Sequence, residues 1–218
     1  MVASPIRLHY FKIQGPAEPI RLLLADSGVE HDDIRIQSMD NFKSDYKTKR
    51  TITPFGKVPV LEYGDLVIPE SGAILRFLGA ELGYPSNNLE TALSEGLMTT
   101  LDDVNDAYRK ARDGEEGALK KWFEEDLPQK LDMYEAWTEK WNKSGEGYFF
   151  GTEKPTFAEF GFLELFYWYT SIYSSVLDKH PKLKAVYTKL LNREGIQKYL
   201  NEGRRPETRG GPVVSKIL

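Results

Sequence analysis

In Ile6-Arg7-Leu8-His9-Tyr10-Phe11, the residues Ile6, Leu8 and Tyr10 alternate with Arg7, His9 and Phe11, the two-residue period of a strand with unlike faces. Gly15-Pro16 interrupts it, and residues 17–27 are rich in helix formers, with Pro16 suited to a helix start and Gly28 to the left-handed position just past its end. Residues 31–37 carry Ile34 and Ile36 at spacing two and read as a second strand, returning after the helix as in a parallel crossover. Residues 39–52 are polar and poorly periodic. Beyond them, Val58-Pro59-Val60-Leu61-Glu62 and Leu66-Val67-Ile68 flank Tyr63-Gly64-Asp65, a turn between strand-forming runs that predicts a hairpin. From Ser71 onward Ile74, Leu75, Phe77 and Leu78 take helical spacing. The order is βαβ followed by ββα, an α/β domain.

Gly83-Tyr84-Pro85-Ser86-Asn87-Asn88 reads as a linker, after which only helical signals remain. We expect a first domain over residues 1–82 and an all-helical domain over residues 89–218, with helices at 89–112, 128–141, 156–173, 181–191 and 195–200. Thr156-Phe157-Ala158-Glu159 has capping-box spacing, and the nearly all-apolar stretch after it predicts a buried central helix. The tail from Arg204 onward, with Pro206, Gly210, Gly211 and Pro212, is too irregular to assign.

A chain of 218 residues exceeds the commonest single-domain size. With 29 basic against 33 acidic residues interspersed along it, no electrostatic footprint for nucleic acid is present. The short basic runs Lys47, Lys49, Arg50 and Arg204, Arg205 read as solvated surface. There is no cysteine, which excludes disulfides, thiolate metal sites and a thiol nucleophile carried by the protein. Any sulfur chemistry must come from a ligand. No apolar run is long enough to span a bilayer and no signal-peptide core precedes the first strand, so no membrane association is expected and the expected location is cytoplasmic.

Pro59 falls inside a run that otherwise reads as a central strand, where proline removes a ladder hydrogen bond. Two arrangements accommodate it. In one, a cis Val58-Pro59 bond turns the Val58 backbone outward to pair with an extended peptide; in the other, a trans proline sits on an edge strand. Glu70-Ser71 precedes a helix, so exposed backbone donors and the helix dipole can meet a carboxylate while Glu70 pairs with an ammonium. The plain alternative for Ser71 is an ordinary residue near a helix start.

The βαβ–ββα pattern with Phe55-Gly56-Lys57-Val58-Pro59-Val60-Leu61 and Glu70-Ser71, followed by an all-helical domain, resembles the cytosolic glutathione transferases along nearly the whole chain. The implied fold is a thioredoxin-like N-terminal domain joined to an all-α C-terminal one. Leu8-His9-Tyr10-Phe11 with Gly15 and Ile20-Arg21 is similar to the openings of the classes that use a catalytic tyrosine. Thr100-Leu101-Asp102-Asp103, His180-Pro181-Lys182-Leu183 and Arg204-Arg205-Pro206 look most like the sigma class.

The resemblance implies glutathione as co-substrate and no required metal. It places Tyr10 at the thiol, Val58 and Pro59 at the cysteinyl backbone, and Glu70 with Ser71 at the glutamyl end. Tyr46, Arg50 and Lys57 align with residues holding the glycyl end, and Asp103 with an acid reaching a neighbouring subunit's glutathione in a homodimer. A hydrophobic electrophile is expected near Phe11, Ile13, Tyr108 and the C-terminal tail. Isomerisation, peroxide reduction or ligand carriage are the alternative uses of the same fold. The sequence departs from the family pattern in carrying Glu70 where Gln is usual, Tyr46 where Trp is usual and Pro16 where an Arg is usual.

Overall fold

The computed structural model describes residues 5–210. The chain divides into two compact units, one built from the first 82 residues together with residues 194–210, the other from residues 83–193. The helical domain expected over 89–218 therefore gives up its last described segment to the first unit, and residues 211–218 of that expectation lie outside the described part. The physical reason is a close helix contact. A β-carbon on Gly195 would lie 2.2 Å from the Ala25 carbonyl, so only glycine lets the backbone approach this closely.

The first unit runs β1 (Ile6–Phe11), a short 3₁₀ turn (Gly15–Ala17), α1 (Glu18–Ser27), β2 (Asp32–Ile36), α2 (Met39–Asp45), β3 (Val60–Tyr63), β4 (Leu66–Pro69) and α3 (Ser71–Glu81), and α9 (Glu194–Asn201) packs on α1. The sheet order is β2-β1-β3-β4, with β1 and β2 parallel and the other pairs antiparallel. Gly28 closes α1 at φ 69° as expected. Leu8, Ile20, Leu23, Leu24, Val60, Leu61, Ile74, Leu75 and Leu78 are all fully buried and form the core. Together they supply the burial of apolar area that drives the packing of α1 and α3, at about 1.5–3 kcal/mol for each large side chain.

Two local expectations change. The polar stretch after residue 38 holds a helix, α2, because Ser38 caps it by accepting from the Asn41 backbone and Phe42 supplies one buried anchor. Pro59 precedes β3 rather than lying within it. Its missing N–H therefore costs the ladder nothing. The Val58-Pro59 bond is cis.

The second unit comprises α4 (Asn88–Arg112), α5 (Ala118–Lys121), a π-helical turn (Trp122–Asp126), α6 (Leu127–Trp141), α7 (Phe157–Ile172) and α8 (Pro181–Leu191). Asn87 opens α4 by accepting from Leu89 and Glu90 while Glu90 reaches back to the Asn87 N–H. The expected central helix is α7, buried along most of its length and packed against α4 and α8. Among the described residues no helix is long and apolar enough to cross a membrane.

Glu159, fully buried in the first turn of α7, accepts 2.5 Å hydrogen bonds from the backbone N–H groups of Phe149 and Thr156. Burial pushes its carboxyl up to about 7, against the opposing pull of those two donors. A carboxyl with a folded pKa above its unfolded value holds a proton that the unfolded chain has already released. Its stabilising contribution is therefore full below pH of about 4.5 and is lost as pH rises through about 7. Glu159→Gln should flatten this part of the pH dependence of the urea midpoint. Glu159→Ala should cost about 1–3 kcal/mol at acidic pH, because two buried donors lose their acceptor, and less above neutral pH, where the wild type bears a buried charge.

Candidate active site

The strand registers assemble one end of the sheet. In β1, His9 faces Val60 of β3, and Val60 in turn faces Pro69 of β4. Tyr10, Pro59 and Glu70 are the chain neighbours of these three residues, just past the point where both antiparallel ladders end. Sequence positions as distant as Tyr10 and Glu70 thus each adjoin a residue of the same paired row.

Tyr10 is 7% exposed, near the end of β1. Its ring packs edge-on to Phe11 at 5.7 Å, with the Arg21 guanidinium carbon 5.9 Å from the ring centroid. Its hydroxyl lies directly against Gly15: a β-carbon there would stand 2.5 Å from the phenolic oxygen. Gly15 also has φ 45°, a left-handed conformation that favours glycine.

Arg21, 1% exposed in α1, sets the shape of the loop between them. Its Nη1 donates to the Ile13 carbonyl at 2.8 Å and its Nη2 to the Phe11 carbonyl at 3.3 Å, while Nε meets Asp33 Oδ2 at 3.1 Å and Nη1 meets Glu18 Oε2 at 3.3 Å. Sequence reading passed over this group. The available signal was Glu18 and Arg21 at helical i,i+3 spacing inside an apolar helix.

At the other end of the row, Glu70 is a non-glycine residue with φ 69° and ψ 125°. Its carbonyl accepts from the Ile74 N–H at 3.0 Å, opening α3. The exposed Glu70 carboxylate thus stands beside Ser71 and the positive end of a helix dipole. A site with a carboxylate and helix donors side by side can read both an ammonium and a carboxylate.

Tyr46 ends α2, stacked on Phe42 at 6.4 Å and edge-on to His9 at 5.7 Å. Burial raises the Tyr46 phenol, reinforced by Asp45 and Glu62. Burial likewise lowers His9, outweighing the Glu62 carboxylate 2.8 Å from its Nε2. Arg50 and Lys57 are exposed cations in the loop that follows α2.

The residues expected at an electrophile site are placed differently. Phe11 and Ile13 are half-buried in the first unit, Phe11 against Phe42 at 5.5 Å. Tyr108 is 2% exposed inside the second unit, within an aromatic cluster with Phe123 and Tyr169, and its hydroxyl accepts from Trp168 Nε1 at 3.1 Å. Tyr108, expected near an electrophile, is thus buried in the aromatic core of the second unit with its hydroxyl engaged. Asp103 is exposed on α4. Among the described residues no group of three or more His, Asp or Glu side chains is arranged to hold a metal ion.

Residues 6–80 match the glutathione S-transferase N-terminal domain and residues 102–203 the glutathione S-transferase C-terminal domain. Glutathione S-transferase P 1 of Xenopus laevis is 32% identical over 91% of this chain and 92% of its own length. Hematopoietic prostaglandin D synthase of Gallus gallus is 29% identical over 93% and 97%. Among solved structures, the Pi-class glutathione S-transferase of Onchocerca volvulus superposes with a TM-score of 0.82, at 28% identity over 94% and 97% of the two chains. The chain belongs to the glutathione S-transferase family. It is a glutathione transferase, an enzyme with glutathione as co-substrate.

Gly15→Ala should push the Tyr10 hydroxyl aside and cost about 1 kcal/mol or more, since it adds a clash to an unfavourable φ. Urea denaturation, together with a crystal structure of the variant, measures both. An unmoved Tyr10 ring would show that the loop yields instead.

Proposed function

We propose that the enzyme conjugates the glutathione thiolate to hydrophobic electrophiles, with Tyr10 as the residue that stabilises the thiolate. The observation that supports this reading is the position of the Tyr10 hydroxyl against Gly15, with Tyr10, Pro59 and Glu70 each next in the chain to a member of the His9, Val60 and Pro69 row. A free thiol of pKa about 8.5 is only a few per cent ionised at neutral pH. A neutral phenol donating a hydrogen bond to sulfur favours the charged form, and lowering the thiol by about two units makes the thiolate the major species. The thiol proton passes to solvent, and the thiolate attacks carbon of the electrophile, forming the C–S bond as the leaving group (halide, for a halodinitrobenzene) departs with the electron pair of the bond that breaks. Tyr10 keeps its proton and acts through charge stabilisation.

In this proposal the Val58 backbone, beside Pro59, pairs with the cysteinyl residue as an added strand does. Glu70 and Ser71 take the glutamyl ammonium and carboxylate, and Tyr46, Arg50 and Lys57 the glycyl end. Phe11 and Ile13 border the electrophile. Tyr108 is left out because its ring and hydroxyl already have partners. Glutathione-dependent isomerisation is a second reading, supported by the likeness to the hematopoietic prostaglandin D synthase of Gallus gallus.

As to class, the relatives named above divide between P-type transferases and a prostaglandin D synthase. We therefore assign the enzyme to the tyrosine-using transferases, with sigma-like features confined to Thr100-Leu101-Asp102-Asp103, His180-Pro181-Lys182-Leu183 and Arg204-Arg205-Pro206. The compartment proposed is the cytoplasm, on the resemblance to cytosolic transferases.

Tyr10→Phe should leave glutathione affinity within a few fold but lower conjugation of a halodinitrobenzene by about ten-fold or more, because only the hydrogen bond to sulfur is removed. Steady-state kinetics with calorimetric glutathione binding separates the two effects. Equal turnover by the variant would remove Tyr10 from the mechanism.

The proposed assembly is a two-fold homodimer in which each glutathione site is completed by Asp103 of the other subunit. It is supported by the exposure of Asp103 on α4 and by Phe55, 66% exposed and able to serve as an apolar key into a partner. Sedimentation at micromolar concentration should give a dimer for both wild type and Asp103→Asn, with weaker glutathione binding in the variant. A monomer, or an Asp103→Asn dimer of unaltered affinity, would contradict the shared site.

A further inference from the structure

The loop that backs Tyr10 is held from two directions. From within, Arg21 binds the carbonyls of Phe11 and Ile13. From without, it is gripped by a segment nearly two hundred residues later in the chain. The Gln14 backbone N–H donates to the Thr208 carbonyl at 2.8 Å, and its side-chain Nε2 donates to the Pro206 carbonyl at 2.8 Å. Arg205 joins the two: its Nη2 donates to Gln14 Oε1 at 3.3 Å and its Nε to Glu18 Oε1 at 2.9 Å. Tyr199 of α9 donates its hydroxyl to the same Glu18 oxygen at 3.1 Å.

Glu18 is wholly buried, and Arg205, from a basic pair that reads as solvated surface, has a side chain only 13% exposed. Burying a carboxylate and a guanidinium is costly unless they are paired and hydrogen-bonded, and here each has several partners. The two-pronged contact uses the fixed fork of arginine, which lysine does not have. All of these atoms belong to the first unit.

We propose that Arg205 is a positioning residue for the transferase reaction, acting through Gln14 and Glu18 to hold Gly15 against the Tyr10 hydroxyl. The proposal rests on the assignment of Tyr10 as the thiolate-stabilising residue. Gln14 and Gly15 are adjacent, so a clamp on Gln14 fixes the backbone that defines where the phenolic oxygen can stand. Loosening it widens the range of hydroxyl positions and weakens the directional hydrogen bond to sulfur.

The test measures the pH dependence of kcat/KM and the ultraviolet titration of bound glutathione thiolate in Arg205→Ala, Arg205→Lys, Gln14→Leu, Tyr10→Phe and the Arg205→Ala/Tyr10→Phe double variant. Arg205→Ala and Gln14→Leu should lower kcat about three- to ten-fold and move the apparent thiol pKa upward, with KM for glutathione changed less than kcat. Arg205→Lys should recover little, because it cannot reach Gln14 and Glu18 together. In the Tyr10→Phe background, Arg205→Ala should add no further shift, since the clamp works through a hydroxyl that is no longer there. A lowered Tm with an unmoved pH profile in Arg205→Ala would overturn the proposal and assign Arg205 to stability alone. If Arg205→Ala fails to fold, the soluble Gln14→Leu decides between the same alternatives, an unmoved profile again refuting the clamp. A Tyr10→Phe profile identical to wild type would refute the Tyr10 assignment itself, whereas a shifted Tyr10→Phe beside an unshifted Gln14→Leu refutes only the clamp.

Discussion

A guanidinium buried to 1% exposure is the constraint on which the first unit is organised. Arg21 cannot shed its charge, so folding must supply it with acceptors in place of water. Those acceptors come from three places: the carbonyls of the loop after β1, Glu18 one helical turn earlier and Asp33 of β2. Each satisfied donor fixes a different element relative to α1. The parallel pairing of β1 and β2 and the shape of the intervening loop are thus linked through one side chain. Asp33 extends the chain of charge to Arg35 at 2.8 Å, and Glu18 extends it to Arg205 and Tyr199. The tail segment docks on the first unit because this network has an acceptor to offer it.

The sheet's edge then determines what can bind. A tripeptide has two charged ends and an extended middle, and recognising it needs a strand-like backbone between two charge-reading stations. In the proposed site Tyr10, Pro59 and Glu70, each next in the chain to a residue of the His9, Val60 and Pro69 row, would supply that layout with Val58 and Ser71. Glu70 takes φ 69°, which costs a non-glycine residue about 1–3 kcal/mol. In the proposed site that strain falls on the residue that would read the glutamyl ammonium.

The sequence showed most clearly what repeats. The alternation of Ile6 to Phe11, the hairpin around Tyr63-Gly64-Asp65 and the apolar run that became α7 are periodic signals spanning many residues, and each matches an element. What it hid was set by single contacts. Only Phe42 anchors α2, too little for a periodic pattern. Pro59 looked internal because Val58 is as strand-prone as Val60, although the ladder begins after the proline. Arg205 looked solvated because its two acceptors lie in the first eighteen residues of the chain, a proximity no local window can register. Tyr108 was expected near an electrophile with no spacing signal behind it, and Trp168, sixty residues away, claims its hydroxyl. The proposed site residues Glu70, Ser71 and Tyr10 were legible through resemblance, and the sheet order that sets β1, β3 and β4 side by side came only with the fold.

The departures from the family pattern fall around this edge and act on its charge. Glu70 in place of an amide adds a negative charge where an ammonium is to be read, which favours the substrate's amino end and repels its carboxylate, leaving the latter to Ser71 and the α3 dipole. Pro16 in place of an arginine removes a cation near the sulfur position, so charge stabilisation there falls more heavily on the Tyr10 hydroxyl. Arg21 is no substitute. Its guanidinium carbon is 5.9 Å from the Tyr10 ring, and Glu18 and Asp33 offset its charge. In the proposed mechanism, with Pro16 in place of a cation and Arg21 paired to Glu18 and Asp33, the thiolate would rely on the Tyr10 hydrogen bond, whose strength falls steeply with misalignment. An enzyme built in this way has reason to hold the backing loop from both sides.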